Sequence, residues 1–113
     1  MKIQLSMIGL LLAASGAMSV AAAQAPDAKA LYDENCKKCH GVIGNPPKTM
    51  KEKYPKIATF NAAFIASRTD DSVVKILTRG KGEDMKPFKE KMTPEEMMAV
   101  AKYVRELGGK AHP

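Results

Sequence analysis

The amino-acid sequence predicts an all-α fold. Three observations lead there: no stretch alternates apolar and polar residues with a period of two, apolar residues recur at helical spacing in several segments, and Thr93-Pro94-Glu95-Glu96 is a helix-start signature. No internal repeat interrupts the pattern.

From Pro26 to Lys38, the spacing of Ala28, Leu31, Tyr32 and Asn35 gives an apolar stripe at i, i+3 and i+4. Asp27 falls in the acidic first-turn zone, so the segment reads as a short helix running into Cys36. Between Gly41 and Phe60, Gly-Val-Ile-Gly-Asn-Pro-Pro and the later Tyr54-Pro55 break any long element, and the segment reads as an irregular loop with room for one turn. Asn61 can cap a short helix over residues 62–66. Asp71 or Ser72 then caps another, with Val73, Ile76 and Leu77 on one face and Gly80 as its stop. Residues 81–92 return to loop, with Gly82 and Pro87 as breakers. The last helix has the clearest signal: Thr93 at the N-cap, Pro94 at the first helical position and Glu96 three residues after the cap form a capping box. Met97, Val100, Ala101, Val104 and Leu107 form its buried stripe, and Gly108-Gly109 ends it.

Ahead of these elements, residues 1–23 have the three parts of a secretory signal: Lys2, an apolar run from Met7 to Leu12, and small residues at Ala21 and Ala23. Cleavage is expected after Ala23, since a cut after Ala25 would leave Pro26 behind it. The rival reading, an uncleaved membrane anchor, needs roughly 20 apolar residues, and the run is shorter. The expected organisation is therefore a cleaved signal peptide over residues 1–23 and one domain over residues 24–113, exported to the periplasm. So small a domain buries a modest core and needs a staple. The only two cysteines lie three residues apart and would close too small a loop to supply one, which favours a bound cofactor.

The chain carries a formal charge of +6, or +5 once Lys2 is set aside with the signal. That balance favours acidic partners. Nucleic acid is not expected, because the chain is exported and aromatic residues, the stacking half of a single-strand binder, make up only 5% of it.

Cys36-Lys37-Lys38-Cys39-His40 is C-x-x-C-H, the signature of covalent haem attachment. Two thiols three residues apart on one helical turn can add to the two vinyl groups of one porphyrin, and the histidine that follows can reach the iron. One haem c per chain is expected, held by thioethers to Cys36 and Cys39, with His40 as an iron ligand. A thioredoxin-type redox pair competes, but such pairs accompany βαβ patterns and no strand is predicted. A zinc site would need Cys36, Cys39, His40 and His112 together, with the neighbours Cys39 and His40 awkward on one ion. A chance match is the third alternative.

Met85 is the leading candidate for the second axial ligand, because the extended loop Gly82-Glu83-Asp84-Met85-Lys86-Pro87-Phe88 leaves its thioether uncommitted to a helix face. Met97 and Met98 lie within the last helix and read as packing. Met92 occupies a hydrophobic-staple position before the capping box. Met50 lies in a lysine-rich loop, and His112 in a terminal tail.

The sequence resembles the small class I bacterial cytochromes c over almost all of residues 24–113. Ala28, Leu31 and Tyr32 occupy that family's Gly-x-x-Leu-Phe/Tyr pattern, and Tyr103 corresponds to the aromatic through which the last helix crosses the first. Met85-Lys86-Pro87-Phe88 is similar to the family's Met-Pro-x-Phe loop with the proline displaced by one residue. The resemblance implies a cytochrome c fold, short helices wrapped around one haem, with His40 and Met85 as axial ligands. His/Met ligation raises the reduction potential relative to two histidines. It also fills both axial sites, which implies electron transfer rather than catalysis. In the family a proline carbonyl orients the proximal imidazole; Pro46 or Pro47 could do so, or could simply build a rigid turn. Val73, Ile76, Leu77 and Phe88 are the expected haem-lining residues.

The expected function is that of a soluble periplasmic carrier, monomeric and without a membrane anchor, moving single electrons between acidic redox proteins. Lys37, Lys38, Lys81, Lys86, Lys89 and Lys91 are the candidate docking charges, or simply solvated loop residues. The alternatives are a haem enzyme or a ligand-binding sensor, and either needs a labile sixth ligand.

Overall fold

The computed structural model describes Gly9, residues 14–16 and residues 25–110. The expected cleavage site at Ala21 to Ala23 and the candidate ligand His112 lie outside the described residues. Within them the chain forms six helices, α1 (Ala28–Asn35), α2 (Lys37–His40), α3 (Lys48–Lys53), α4 (Ala62–Ser67), α5 (Asp70–Arg79) and α6 (Pro94–Gly108). No strand occurs among the described residues, only an isolated bridge between Lys81 and Met85. The all-α expectation is met.

α6 is the hub on which α1, α4 and α5 all pack. It begins as expected: the Thr93 hydroxyl accepts from the Glu96 N–H at 3.1 Å, and the Glu96 carboxylate accepts from the Thr93 N–H at 3.0 Å. All five residues of its predicted stripe are buried. Burying each Val, Leu or Met is worth about 1.5–3 kcal/mol before entropy is charged against it. Met92 and Met97, at the two staple positions, both belong to this core. Gly108 lets α6 approach α4 closely, since a Cβ there would lie 2.5 Å from Ile65 Cδ1.

α1 crosses α6 through Tyr32 and Tyr103, whose ring centroids are 5.3 Å apart. Tyr32 is fully buried, and its hydroxyl donates to the Gly41 carbonyl at 2.6 Å. Asp27 is the N-cap of α1 rather than a residue of its first turn, its carboxylate accepting from the Ala30 N–H at 3.0 Å.

Two expectations are corrected. α5 begins two to three residues early, with Thr69 as its cap in place of Asp71 or Ser72, the Thr69 hydroxyl accepting from the Ser72 N–H at 3.1 Å. Asp70 is drawn into the helix and bonded to Arg105 of α6 at 2.8 Å, a long-range contact that local patterning does not carry. The segment 41–60 holds a real if short helix, α3, which the Pro47 carbonyl starts by accepting from the Met50 and Lys51 N–H groups.

Candidate functional site

The C-x-x-C-H motif occupies a break between two helices. Cys36 ends α1, donating its N–H to the Tyr32 carbonyl at 2.8 Å, and its own carbonyl accepts from Cys39 and His40 to form the turn of α2. Both thiols are free; Cys36 is buried and Cys39 half-buried. Burial pushes the Cys36 thiol up to about 11, with the neighbouring Cys39 adding to the shift.

His40 follows on the same turn. Its Nδ1 lies 3.2 Å from the Ala58 carbonyl, and its ring stacks on Phe60 with centroids 4.6 Å apart. A carbonyl has no proton to give, so this bond places the histidine proton on Nδ1 and leaves the Nε2 lone pair free. Burial lowers the His40 pKa, and the Ala58 bond opposes that shift. The orienting carbonyl is thus that of Ala58, not of Pro46 or Pro47. The Pro47 carbonyl is engaged by α3, where the proline serves as the rigid turn.

Met85 reaches the site from the loop after α5. Gly80 ends that helix at φ 74 and ψ 178, a conformation open essentially to glycine alone. The chain then folds back: the Lys81 N–H donates to the Met85 carbonyl at 2.8 Å, and the Phe88 N–H to the Leu77 carbonyl at 2.8 Å. A Cβ at Gly80 would lie 2.5 Å from the Met85 carbonyl oxygen, so this close return requires glycine.

Cys36, Cys39, His40 and Met85 line a single cavity of about 800 Å³. Val73, Ile76, Leu77 and Phe88, the expected lining residues, all face it. Its size lies within the range of cofactor pockets, roughly 300–1,000 Å³. Among the described methionines only Met85 lines it; Met50, Met92, Met97 and Met98 do not. Met97 is further committed through a 3.6 Å contact from the Thr78 hydroxyl to its sulfur.

The residues fit a haem. Two thiols, an imidazole with one free nitrogen and a thioether border an apolar space, and one wall residue, Arg68, holds a buried Nε with no hydrogen-bond partner. A zinc centre fits less well, since among the described residues no three His, Cys, Asp or Glu side chains converge on a metal position.

Several lining residues carried no functional signal in the sequence. Ala58, Phe60, Phe64 and Arg68 come from segments read as loop or short helix, and Val100 and Val104 had been assigned only as the α6 core stripe. The one available hint was aromatic clustering around residues 54–64.

Comparison with known proteins agrees with this geometry. Residues 23–104 match the family described as cytochrome C oxidase, cbb3-type, subunit III. The chain is 30% identical over 93 residues to the Cbb3-type cytochrome c oxidase subunit CcoP of Azospirillum brasilense, covering 80% of this chain and 31% of that protein. The chain therefore spans about a third of the length of that curated relative. The solved KustC0563 c-type cytochrome superposes with a TM-score of 0.65 at 38% identity, covering 72% of this chain and 96% of the other. A tyrosine-to-phenylalanine mutant of KustC0563 gives 0.64 at 36% identity, with 72% and 98% covered. The chain belongs to the cbb3-type cytochrome c oxidase subunit III family and is a c-type cytochrome, a haem-based electron-transfer domain.

Proposed function

We propose that this protein is an exported electron carrier. Residues 1–23 direct it to the periplasm and are removed, and residues 24–113 form a soluble monomer that carries one haem c. Cys36 and Cys39 would hold the haem through thioethers, and His40 and Met85 would supply its two protein iron ligands. The observation that carries this reading is the meeting of all four side chains on one cavity.

Bound haem supplies a one-electron iron couple. The chain does the rest. Ala58 keeps the His40 proton on Nδ1, so that Nε2 is the ligating nitrogen. Gly80 and the Lys81–Met85 bridge hold the Met85 loop at the cavity. The apolar wall excludes water, which favours the less charged reduced state. With His40 and Met85 both committed to the iron, no open iron site would be left for a substrate, which favours transfer over catalysis. The domain passes electrons between acidic redox proteins, and its likeness to an oxidase subunit favours an oxidase as the acceptor.

The test is a spectrum. The purified protein should keep its haem through acid and organic-solvent extraction and be low-spin and six-coordinate in both oxidation states. Extractable haem would refute attachment at Cys36 and Cys39. High-spin haem, or immediate carbon monoxide binding to the reduced form, would refute the carrier reading. Met85→Ala should open one axial position and lower the reduction potential; an unchanged spectrum in that variant would remove Met85 as ligand.

A further inference from the structure

Among the described residues two large hydrophobic side chains stand exposed, Val42 at 68% and Ile43 at 36%, and they are neighbours. They form the tip of the turn over residues 41–44, directly after His40, and neither lines the cavity. The turn is fixed at both ends. The Gly41 carbonyl accepts from the Tyr32 hydroxyl at 2.6 Å and from the Gly44 N–H at 3.3 Å, and the Gly44 carbonyl accepts from the Phe60 N–H at 2.8 Å. A Cβ at Gly44 would lie 2.7 Å from Phe60 Cβ, so glycine lets the turn lie directly on that residue. Two cations accompany the tip: Lys38 on α2, which leads into the turn, and Lys51, whose Nζ donates to Asn45 Oδ1 at 2.9 Å just beyond it. Both are exposed, and neither forms an ion pair among the described residues.

A single exposed aliphatic residue is ordinary. Two adjacent ones, on a turn pinned by three hydrogen bonds and accompanied by unpaired cations, have the apolar centre and charged rim of an interface. A fixed shape suits a preformed protein socket. A bilayer needs no fixed shape, and two aliphatic side chains are too few to hold a protein on it, since even one acyl chain binds only marginally. The cations call for acids around the socket. We infer that the turn over residues 41–44 is an apolar knob that seats in an acid-rimmed socket on the protein receiving the electron. This contact is separate from the lysines that border the cavity, because Lys38 and Lys51 are not among them. The inference rests on the carrier reading above, with an oxidase as the acceptor.

The experiment measures equilibrium binding of the oxidised holoprotein to two probes, a purified, solubilised cbb3-type cytochrome c oxidase and vesicles of phosphatidylglycerol with phosphatidylcholine. Val42→Ser with Ile43→Ser should weaken binding to the oxidase by about fivefold or more and leave its salt dependence in place. Lys38→Gln with Lys51→Gln should weaken it at low salt and flatten the salt dependence. Equal affinities for the parent and the Val42→Ser, Ile43→Ser protein would overturn the inference, as would a parent protein that does not bind the oxidase. Loss of vesicle binding with oxidase binding unchanged would also overturn it and make the bilayer the occupant. If the double variant does not fold, Val42→Ser decides alone, by the same loss of oxidase binding or its absence. The carrier reading is tested apart from this, by the haem spectrum: high-spin haem in the parent would refute that reading, while the binding series still decides on the knob.

Discussion

Tyr32 shows how one side chain ties the haem motif to the core. Its ring fills the α1–α6 crossing, and its hydroxyl reaches the carbonyl of Gly41, the residue directly after His40. Burial raises the Tyr32 pKa well above the ordinary tyrosine value of 10.0, with the nearby Cys36, Tyr103 and Asp33 adding to the shift. A raised folded-state pKa gives stability that is fully present below pH 10.0 and is lost as pH climbs toward the folded value. Tyr32→Phe should cost about 0.5–1.5 kcal/mol at neutral pH, because it removes one hydrogen bond and leaves the Gly41 carbonyl with only the longer, 3.3 Å bond from the Gly44 N–H. It should also flatten the fall in stability above pH 10.0. Urea unfolding of the holoprotein at neutral and alkaline pH measures both effects. Equal alkaline losses in the two proteins would mean that another group titrates there.

Among the elements, those with strictly local causes were legible in the sequence. The capping box, the Pro94 start and the five-residue stripe specify α6 within one stretch of chain, and Asn61 specifies α4 in the same way. The start of α5 was not legible, because Asp70 is fixed by Arg105, which lies far along the chain. α3 was hidden by the prolines around it, one of which turned out to start it. At the site, the motif residues were singled out by their spacing and Met85 by its loop, and all four line the cavity. Ala58 could not be read, since its contribution is a backbone carbonyl with no residue signature. Arg68 could not either, because a lone arginine in a loop looks the same whether solvated or buried.

The return of the Met85 loop to α5 yields the prediction at this scale. Gly80→Ala would place a Cβ 2.5 Å from the Met85 carbonyl oxygen and 2.8 Å from the Pro87 nitrogen. Both contacts are to backbone, so no flexible side chain can yield. The substitution should cost roughly 1–3 kcal/mol for the backbone conformation alone, with the clash adding to it. Chemical denaturation of the holoprotein checks this. A loss well under about 1 kcal/mol would mean that the loop relaxes freely and that glycine is not required at the turn.

Over the whole molecule, charge is gathered at the mouth of the cavity. Lys53, Lys56, Lys81, Lys86 and Lys91 border it, against Glu34 and Asp84. Lys53 and Lys56 were not among the lysines singled out from the sequence, because they reach the cavity only through the fold of the end of α3 and the segment that follows it. Lys37, which was singled out, lies 3.9 Å from Asp33, so part of its charge is already answered. A positive rim around the redox centre should steer an acidic partner into a productive encounter, with rate gains of about 10- to 1,000-fold at low salt that fade as screening rises. The electron-transfer rate with an acidic-patch copper protein should therefore fall by about tenfold or more between roughly 0.01 M and 0.15 M salt. Lys81→Gln with Lys86→Gln and Lys91→Gln should lower the low-salt rate and flatten the slope. Lys48→Gln on α3, whose lysine faces Glu52 at 3.8 Å and does not border the cavity, should leave the slope unchanged. Stopped-flow rates across the salt series separate the outcomes. If the triple variant keeps the full salt dependence, the steering charge lies elsewhere on the molecule and the rim does not guide docking.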